Sequence, residues 1–201
     1  MSTDLLRDLS QHPLARRLGV PRIPVLRRYR PGAPLLDGPA VVGSVGPGRF
    51  VDAVRALLKD AGIAEAGEDG TVAAVVLDAT AARTLEDLAA VQQFLTPVMR
   101  RIGASGRLLL LGPSGDDAEP EPAAVAQGLE GFIRSVGKEM RAGATANLVV
   151  AGPGVGPEAV ASTLRFFLSA RSAFVSGQVV RVGAPVGGRG EALASDEALA
   201  G

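Results

Sequence analysis

Between Leu129 and Met140 the apolar residues Leu129, Phe132, Ile133, Val136 and Met140 recur three or four positions apart, the repeat of one helix face, with Glu130, Arg134, Lys138 and Arg141 falling outside it. This spacing predicts a core helix, ended by Gly143 in a left-handed conformation. The unbroken run Leu148, Val149, Val150 then predicts a strand covered on both faces, closed by Gly152-Pro153-Gly154. The rest of the chain repeats this unit. Apolar runs near Ala40, Ala73, Leu108 and Val179 predict four further strands. Helices are expected from Phe50 to Asp60, from Leu85 to about Ile102 (Leu88, Val91, Leu95, Val98 and Met99 inward) and from Glu158 to Ser169 (Val160, Leu164, Phe167 and Leu168 inward).

Strand and helix in alternation predict an α/β chain, a three-layer doubly wound sandwich of about five mainly parallel strands with helices on both faces, of degenerate Rossmann or flavodoxin-like type. Between Ala61 and Gly70 there is too little chain for the second and third strands of a full dinucleotide fold, so the first strand is expected at a free edge. Ahead of this domain, residues 1–37 read as a helix from Thr3 to Leu18 and an extended arm. Pro21, Pro24, Pro31 and Pro34 forbid regular helix there, and Arg16, Arg17, Arg22, Arg27, Arg28 and Arg30 supply charge. Such an arm wraps its own domain or a sister subunit, or grips a phosphate or an acidic carrier surface. The core domain is assigned to residues 38–184, and the small-residue stretch 185–201 reads as a flexible linker.

Composition narrows the function. The chain has 201 residues, enough for one domain with a buried core. It has no cysteine and a single histidine, His12, which excludes a disulfide framework and leaves little for metals or for serine–histidine catalysis. Lys plus Arg and Asp plus Glu are 21 each, so no net field favours nucleic acid or a membrane surface, and a soluble, cytoplasmic protein is expected.

The candidate chemistry lies at the strand ends. After the first strand stand Gly43, Gly46 and Gly48, the position of a dinucleotide-binding turn, where glycines let the backbone approach a pyrophosphate and point helix amides at it. Pro47 has no N–H to offer, and the same glycines also suit a plain strand-to-helix turn. Asp78 ends the second strand, as an acid, a ligand or a helix cap working with Thr80 or Thr84. Glu65, Glu68, Asp69, Asp116 and Glu119 read as solvated turn carboxylates, and Gly115 to Pro122 as a loop.

Two segments carry a resemblance. LEGFIRSVGKE with ATANLVVAGPGV resembles the stretch after the Tyr-x-x-x-Lys of short-chain dehydrogenases and reductases, including their N-x-V-x-P-G strand end, and FFLSARSAFVSGQVVRVG resembles their closing block. Carried over residue by residue, the resemblance places Pro122 at the tyrosine position, Ala126 at the lysine position and Pro113 at the substrate-binding serine, with Ser114 one step later. The chain's single tyrosine, Tyr29, is followed four residues on by Ala33, and its single asparagine, Asn147, lies on the strand after the core helix. With the arm LGVPRIPVLRRYRPGAPLL included, residues 14–185 are similar to the amino-terminal domain of the high-molecular-weight 3-oxoacyl-acyl-carrier-protein reductases of actinobacteria. That resemblance implies a non-catalytic domain without cofactor or metal. It would dock on a catalytic reductase domain or a sister subunit, form homo-oligomers, and leave an acyl carrier protein as an open further partner. Two alternatives remain: a divergent NAD(P)H-dependent 3-oxoacyl-thioester reductase using Gly43, Gly46 and Gly48, and a bare acyl- or nucleotide-binding module.

Overall fold

The computed structural model describes residues 26–115 and 119–183. The expected Thr3 to Leu18 helix, Arg16, Arg17, Arg22, Asp116 and the 185–201 linker lie outside the described residues. The elements are β1 (Ala40–Ser44), α1 (Val51–Asp60), β2 (Val72–Asp78), α2 (Leu85–Met99), β3 (Ile102–Pro113), α3 (Pro120–Glu139), β4 (Thr145–Ala151), α4 (Pro157–Leu168), a 3₁₀ turn (Ala170–Ser172) and β5 (Val179–Val182). The strands form one parallel sheet in the order β1-β2-β3-β4-β5.

Alternation along each strand divides the core in two. Val75 and Leu77 of β2, Leu108 and Leu110 of β3, and Leu148 and Val150 of β4 pack with Val91 and Leu95 of α2 and Leu129 and Ile133 of α3. The intervening residues Ala74, Val76, Leu109, Leu111 and Val149 pack with Val54 and Leu58 of α1 and Val160 and Leu164 of α4. This period of two, read by helices on both faces, explains why the central strands are continuous apolar runs. Each of these fully buried leucines contributes about 1.5–3 kcal/mol.

The missing strands leave a trace. After α1 the chain runs briefly beside the outer edge of β1 and forms a single parallel bridge, Ala40 to Glu65, in which the Ala40 N–H donates to Ala64 O and the Ala66 N–H to Ala40 O, at 3.0 and 2.8 Å. The first strand is therefore an edge, as expected, but one covered at its start.

Three boundaries differ from expectation. The helix containing Leu129 begins at Pro120, inside the stretch read as loop, because proline at the first helical positions needs no amide partner and its fixed φ suits the first turn. The same helix stops at Glu139. Met140 is already extended, Gly143 does hold φ +75° but in the following turn, and Ala142 ahead of it also has a positive φ of 53°. Finally β3 begins at Ile102, predicted as helix, since Ile102 pairs with Val72 ahead of an irregularity that resets the register at Ala74 and Arg107.

Candidate functional site

Ser44 and Asp78, the last residues of β1 and β2, stand in register with Leu111 of β3, which runs on to Pro113. Open parallel sheets place ligands in the crevice beyond such ends, where successive helices leave on opposite faces, as α1 and α2 do here. The glycine-bearing turn from Gly43 to Gly48 forms the rim of this crevice.

Each glycine has a packing reason of its own. Gly43 lies in β1 under the Phe94 ring, and a Cβ there would fall 2.3 Å from a ring carbon. Gly46 holds φ +66°, a left-handed conformation that favours glycine. At Gly48 a Cβ would lie 2.6 Å from Asp78 Cγ, so this glycine makes room for a carboxylate of the protein itself.

Asp78 is 1% exposed and fills the turn. Its Oδ2 accepts from the Phe50 N–H at 2.5 Å, while Oδ1 accepts from the Thr80 N–H at 3.0 Å and the Thr80 hydroxyl at 2.6 Å. Thr80 Oγ1 in turn accepts from the Arg49 N–H at 3.0 Å, and the Gly48 N–H donates to Gly46 O at 2.9 Å. The amides of Gly48, Arg49 and Phe50, the ones that would cradle a phosphate, thus all have partners within the chain. An anion arriving at the start of α1 meets the Asp78 carboxylate beside the first helical amides, Val51 to Ala53, so a pyrophosphate seated at this turn would lie next to a fixed negative charge. Asp78 acts as a cap, but on α1, 28 residues back in sequence. The following helix α2 is capped separately, by Thr84 and Asp87 in a reciprocal box. Hydrogen bonds from the Arg83 and Thr84 amides hold the Asp87 carboxyl below its usual range.

Arg49 closes the crevice from above. Its guanidinium donates to Val155 O at 2.8 Å and Gly152 O at 3.3 Å, and lies 5.0 Å from the Phe50 ring centroid, so the start of α1 is tied to the loop after β4. Across the sheet, Pro122 and Ala126 are both buried on α3, and the loop after β3 packs toward them: a Cβ on Gly115 would meet Ala126 Cβ at 3.5 Å. Neither side chain carries a proton to give.

The remaining candidates are dispersed. Tyr29 stands at the opposite, amino end of the sheet, where its hydroxyl accepts from Arg171 Nη2 at 2.7 Å and the guanidinium stacks 4.4 Å from its ring centroid. Asn147 is 1% exposed and structural: its Nδ2 donates to Val175 O at 2.8 Å and its Oδ1 accepts from the Gln178 N–H at 3.1 Å, fixing the loop before β5. Glu65 pairs with Arg55 at 2.9 Å, and Glu119 lies 3.9 Å from Arg83. Arg27 of the arm pairs with Asp37 at 2.5 Å, a carboxylate of its own chain. Among the described residues no cluster of His, Asp or Glu has the makings of a metal site, and no helix is long and apolar enough to cross a membrane. Arg49 was missed in sequence because its partners are carbonyls about a hundred residues away. Arg107 was missed too, although a lone charge opening an apolar strand run was a visible signal.

No protein-family model matches the chain, and no curated protein matches it in sequence. The fold, in contrast, matches solved short-chain dehydrogenases and reductases. One from Brucella melitensis, of the glucose/ribitol dehydrogenase type, gives a TM-score of 0.58 at 14% identity over 72% of this chain and 94% of that one. A candidate 3-oxoacyl-reductase from Bacillus thuringiensis gives 0.55 at 16% identity, covering 74% and 98%. A Serratia marcescens short-chain dehydrogenase/reductase gives 0.53 at 18%, covering 75% and 98%. At these identities the likeness establishes the fold: a Rossmann-like sheet of the short-chain reductase kind.

Proposed function

We propose that this chain is a reductase-type domain relieved of carbonyl reduction, serving a structural, docking or oligomerisation role beside a catalytic 3-oxoacyl reductase domain in fatty-acid or polyketide metabolism. The observation that carries this reading is the self-satisfied crevice. The amides of Gly48, Arg49 and Phe50, leading into α1, are used by Gly46 O, Thr80 Oγ1 and the Asp78 carboxylate, while Pro122 and Ala126 stand where the resemblance asks for a proton donor and its lysine. A carbonyl reductase needs a hydride donor seated at that crevice and an acid within hydrogen-bond reach of the developing alkoxide. Loss of the acid alone removes several kcal/mol of transition-state stabilisation, at about 1.4 kcal/mol per factor of ten in rate. The docking role rests on the resemblance of residues 14–185 to a domain that accompanies a catalytic reductase. A cytoplasmic setting accords with a chain that contains no cysteine.

Two measurements test it. Titration with NADH and NADPH, followed by calorimetry, is expected to give no binding up to millimolar cofactor; saturable binding in the micromolar range returns the reading to the divergent-reductase alternative. Mixed with a complete reductase domain carrying Tyr-x-x-x-Lys, the chain is expected to co-elute on a sizing column at micromolar concentration, and two independent peaks count against the docking role.

A further inference from the structure

At the amino end of the sheet, opposite the crevice, the arm and α4 border an open cavity of about 400 Å³. That volume falls in the range of small-molecule sites, roughly 300–1,000 Å³. Tyr29, Leu35 and Phe166 supply its apolar wall, and its charged lining residues are all cations, Arg30, Arg165 and Arg171 together with Arg27, which is paired with Asp37. Neither Arg30 nor Arg165 has an ion pair among the described residues. In a protein whose formal charge is zero, this is a local excess of cations that the described residues do not neutralise.

A second, independent observation lies beside it. Arg107, in β3 opposite Thr145 at the start of β4, is 2% exposed and has no ion pair among the described residues. Its Nε donates to the carbonyl of Ser169, a cavity residue, at 3.3 Å, and its Nη1 to Ser105 O and Gly106 O at 2.8 and 3.1 Å. Its Nη2 is buried with no partner. A buried guanidinium with an idle donor costs stability and adds uncompensated positive charge behind the cavity wall. Burial, and then the charge of Arg27 at the cavity wall, lower the Arg107 pKa, which is the direction expected where positive charge is in excess.

We propose that this cavity is a binding site for an organic monophosphate with a flat apolar body, the phosphate among the Arg30, Arg165 and Arg171 guanidiniums and the body against Tyr29, Leu35 and Phe166. Guanidinium forks match phosphate oxygens in pairs, and three of them favour a dianion over a carboxylate. Tyr29 is already arranged for it: its oxygen accepts from Arg171, which leaves the phenolic proton free to donate to the ligand. The apolar body selects against inorganic phosphate, which gains nothing from the ring walls.

The test uses the full chain and 1-naphthyl phosphate as probe, by calorimetry and by amide chemical shifts. Binding is expected at about 100 µM or tighter, about tenfold weaker for 1-naphthol and for inorganic phosphate, and weakening with salt. The shifts are expected at residues 29–35 and 162–171. Arg165→Glu should cost at least about tenfold in affinity, one factor of ten being about 1.4 kcal/mol, with the thermal midpoint unchanged; the remote charge reversal Lys59→Glu should leave affinity as it is. Absence of binding at about 1 mM, equal affinity for inorganic phosphate, equal affinity in Arg165→Glu, or shifts centred on residues 44–50 and 78–80 would each overturn the proposal. Absence of binding, equal affinity for inorganic phosphate or equal affinity in Arg165→Glu leaves the cofactor and docking tests untouched, whereas shifts at residues 44–50 and 78–80 would point to the Gly43–Gly48 turn instead, so failure of the inference and failure of the proposed function are told apart.

Discussion

Replacing Asp78 by alanine tests the central structural claim, that a carboxylate of the chain itself satisfies the turn where α1 begins. The substitution removes three hydrogen bonds at 2.5, 2.6 and 3.0 Å from a fully buried site. Bonds to a charged group are each worth about 1.5–3 kcal/mol, but these share one carboxylate and do not add. The carboxylate also sits at a helix N-terminus, worth up to about 2 kcal/mol when partly buried, and the cost of burying its charge is recovered on removal. The balance is a loss of about 3 kcal/mol, which for a domain of this size lowers Tm by roughly 6–12 °C. Urea unfolding measures it directly. The same change empties the space beside Gly48 and frees the Phe50 amide, so sulfate should now bind. At about ten times its Kd the anion restores about 1.4 kcal/mol to Asp78→Ala and nothing to the parent chain. A loss under about 1 kcal/mol, or equal response of both proteins to sulfate, would falsify the reasoning.

Two of the three glycines of α3, Gly131 and Gly137, should respond in opposite directions. A Cβ on Gly131 meets nothing, so Gly131→Ala is expected to stabilise by up to about 1 kcal/mol, whereas at Gly137 it would lie 2.7 Å from the Gly177 backbone and Gly137→Ala should destabilise by about 1–3 kcal/mol despite alanine's helix preference; equilibrium unfolding of both decides it. Thr84→Ala should cost about 1 kcal/mol by opening the cap of α2. Because the Asp87 carboxyl titrates lower folded than unfolded, its stabilisation is complete above the unfolded pKa and is lost as pH falls through the folded value, so the difference between parent and Asp87→Asn should shrink with acidification. Glu130→Ala should release β5 from α3, since Glu130 is 8% exposed and bonded to both Arg134 and Arg181; faster amide exchange in Val179–Val182 is the expected sign, and unchanged exchange would count against the link.

The sheet was legible because its information is local. Runs such as Leu108 to Leu111 and Leu148 to Val150 state that both faces are covered, and the spacing of Val160, Leu164, Phe167 and Leu168 states which face of α4 turns inward. What sequence spacing does not carry is the partner of a polar group far along the chain. Asp78 was readable as a cap, and Thr80 as its helper, but not as the cap of a helix that precedes it, because that depends on the register which sets Ser44 beside Asp78. The start of α3 was hidden for a different reason. Pro120 and Pro122 break helices in the interior yet favour their first turn, and composition alone cannot tell the two uses apart. The three glycines showed that the turn is tight. They did not show what fills it, since Gly48 approaches a side chain of its own protein at a distance that would serve equally for an incoming ligand.

The bridge between Ala40 and Glu65 has a consequence for how the molecule behaves in a crowded solution. A sheet whose outermost ribbon is long and uncapped invites other chains to add themselves to it, and this is how many β-containing proteins come to precipitate. Here the ribbon is only Ala40–Ser44, and its first residue already has a neighbour. What is left unpaired along this side is Val41–Ser44, a ribbon so short that an incoming strand finds little there to pair with.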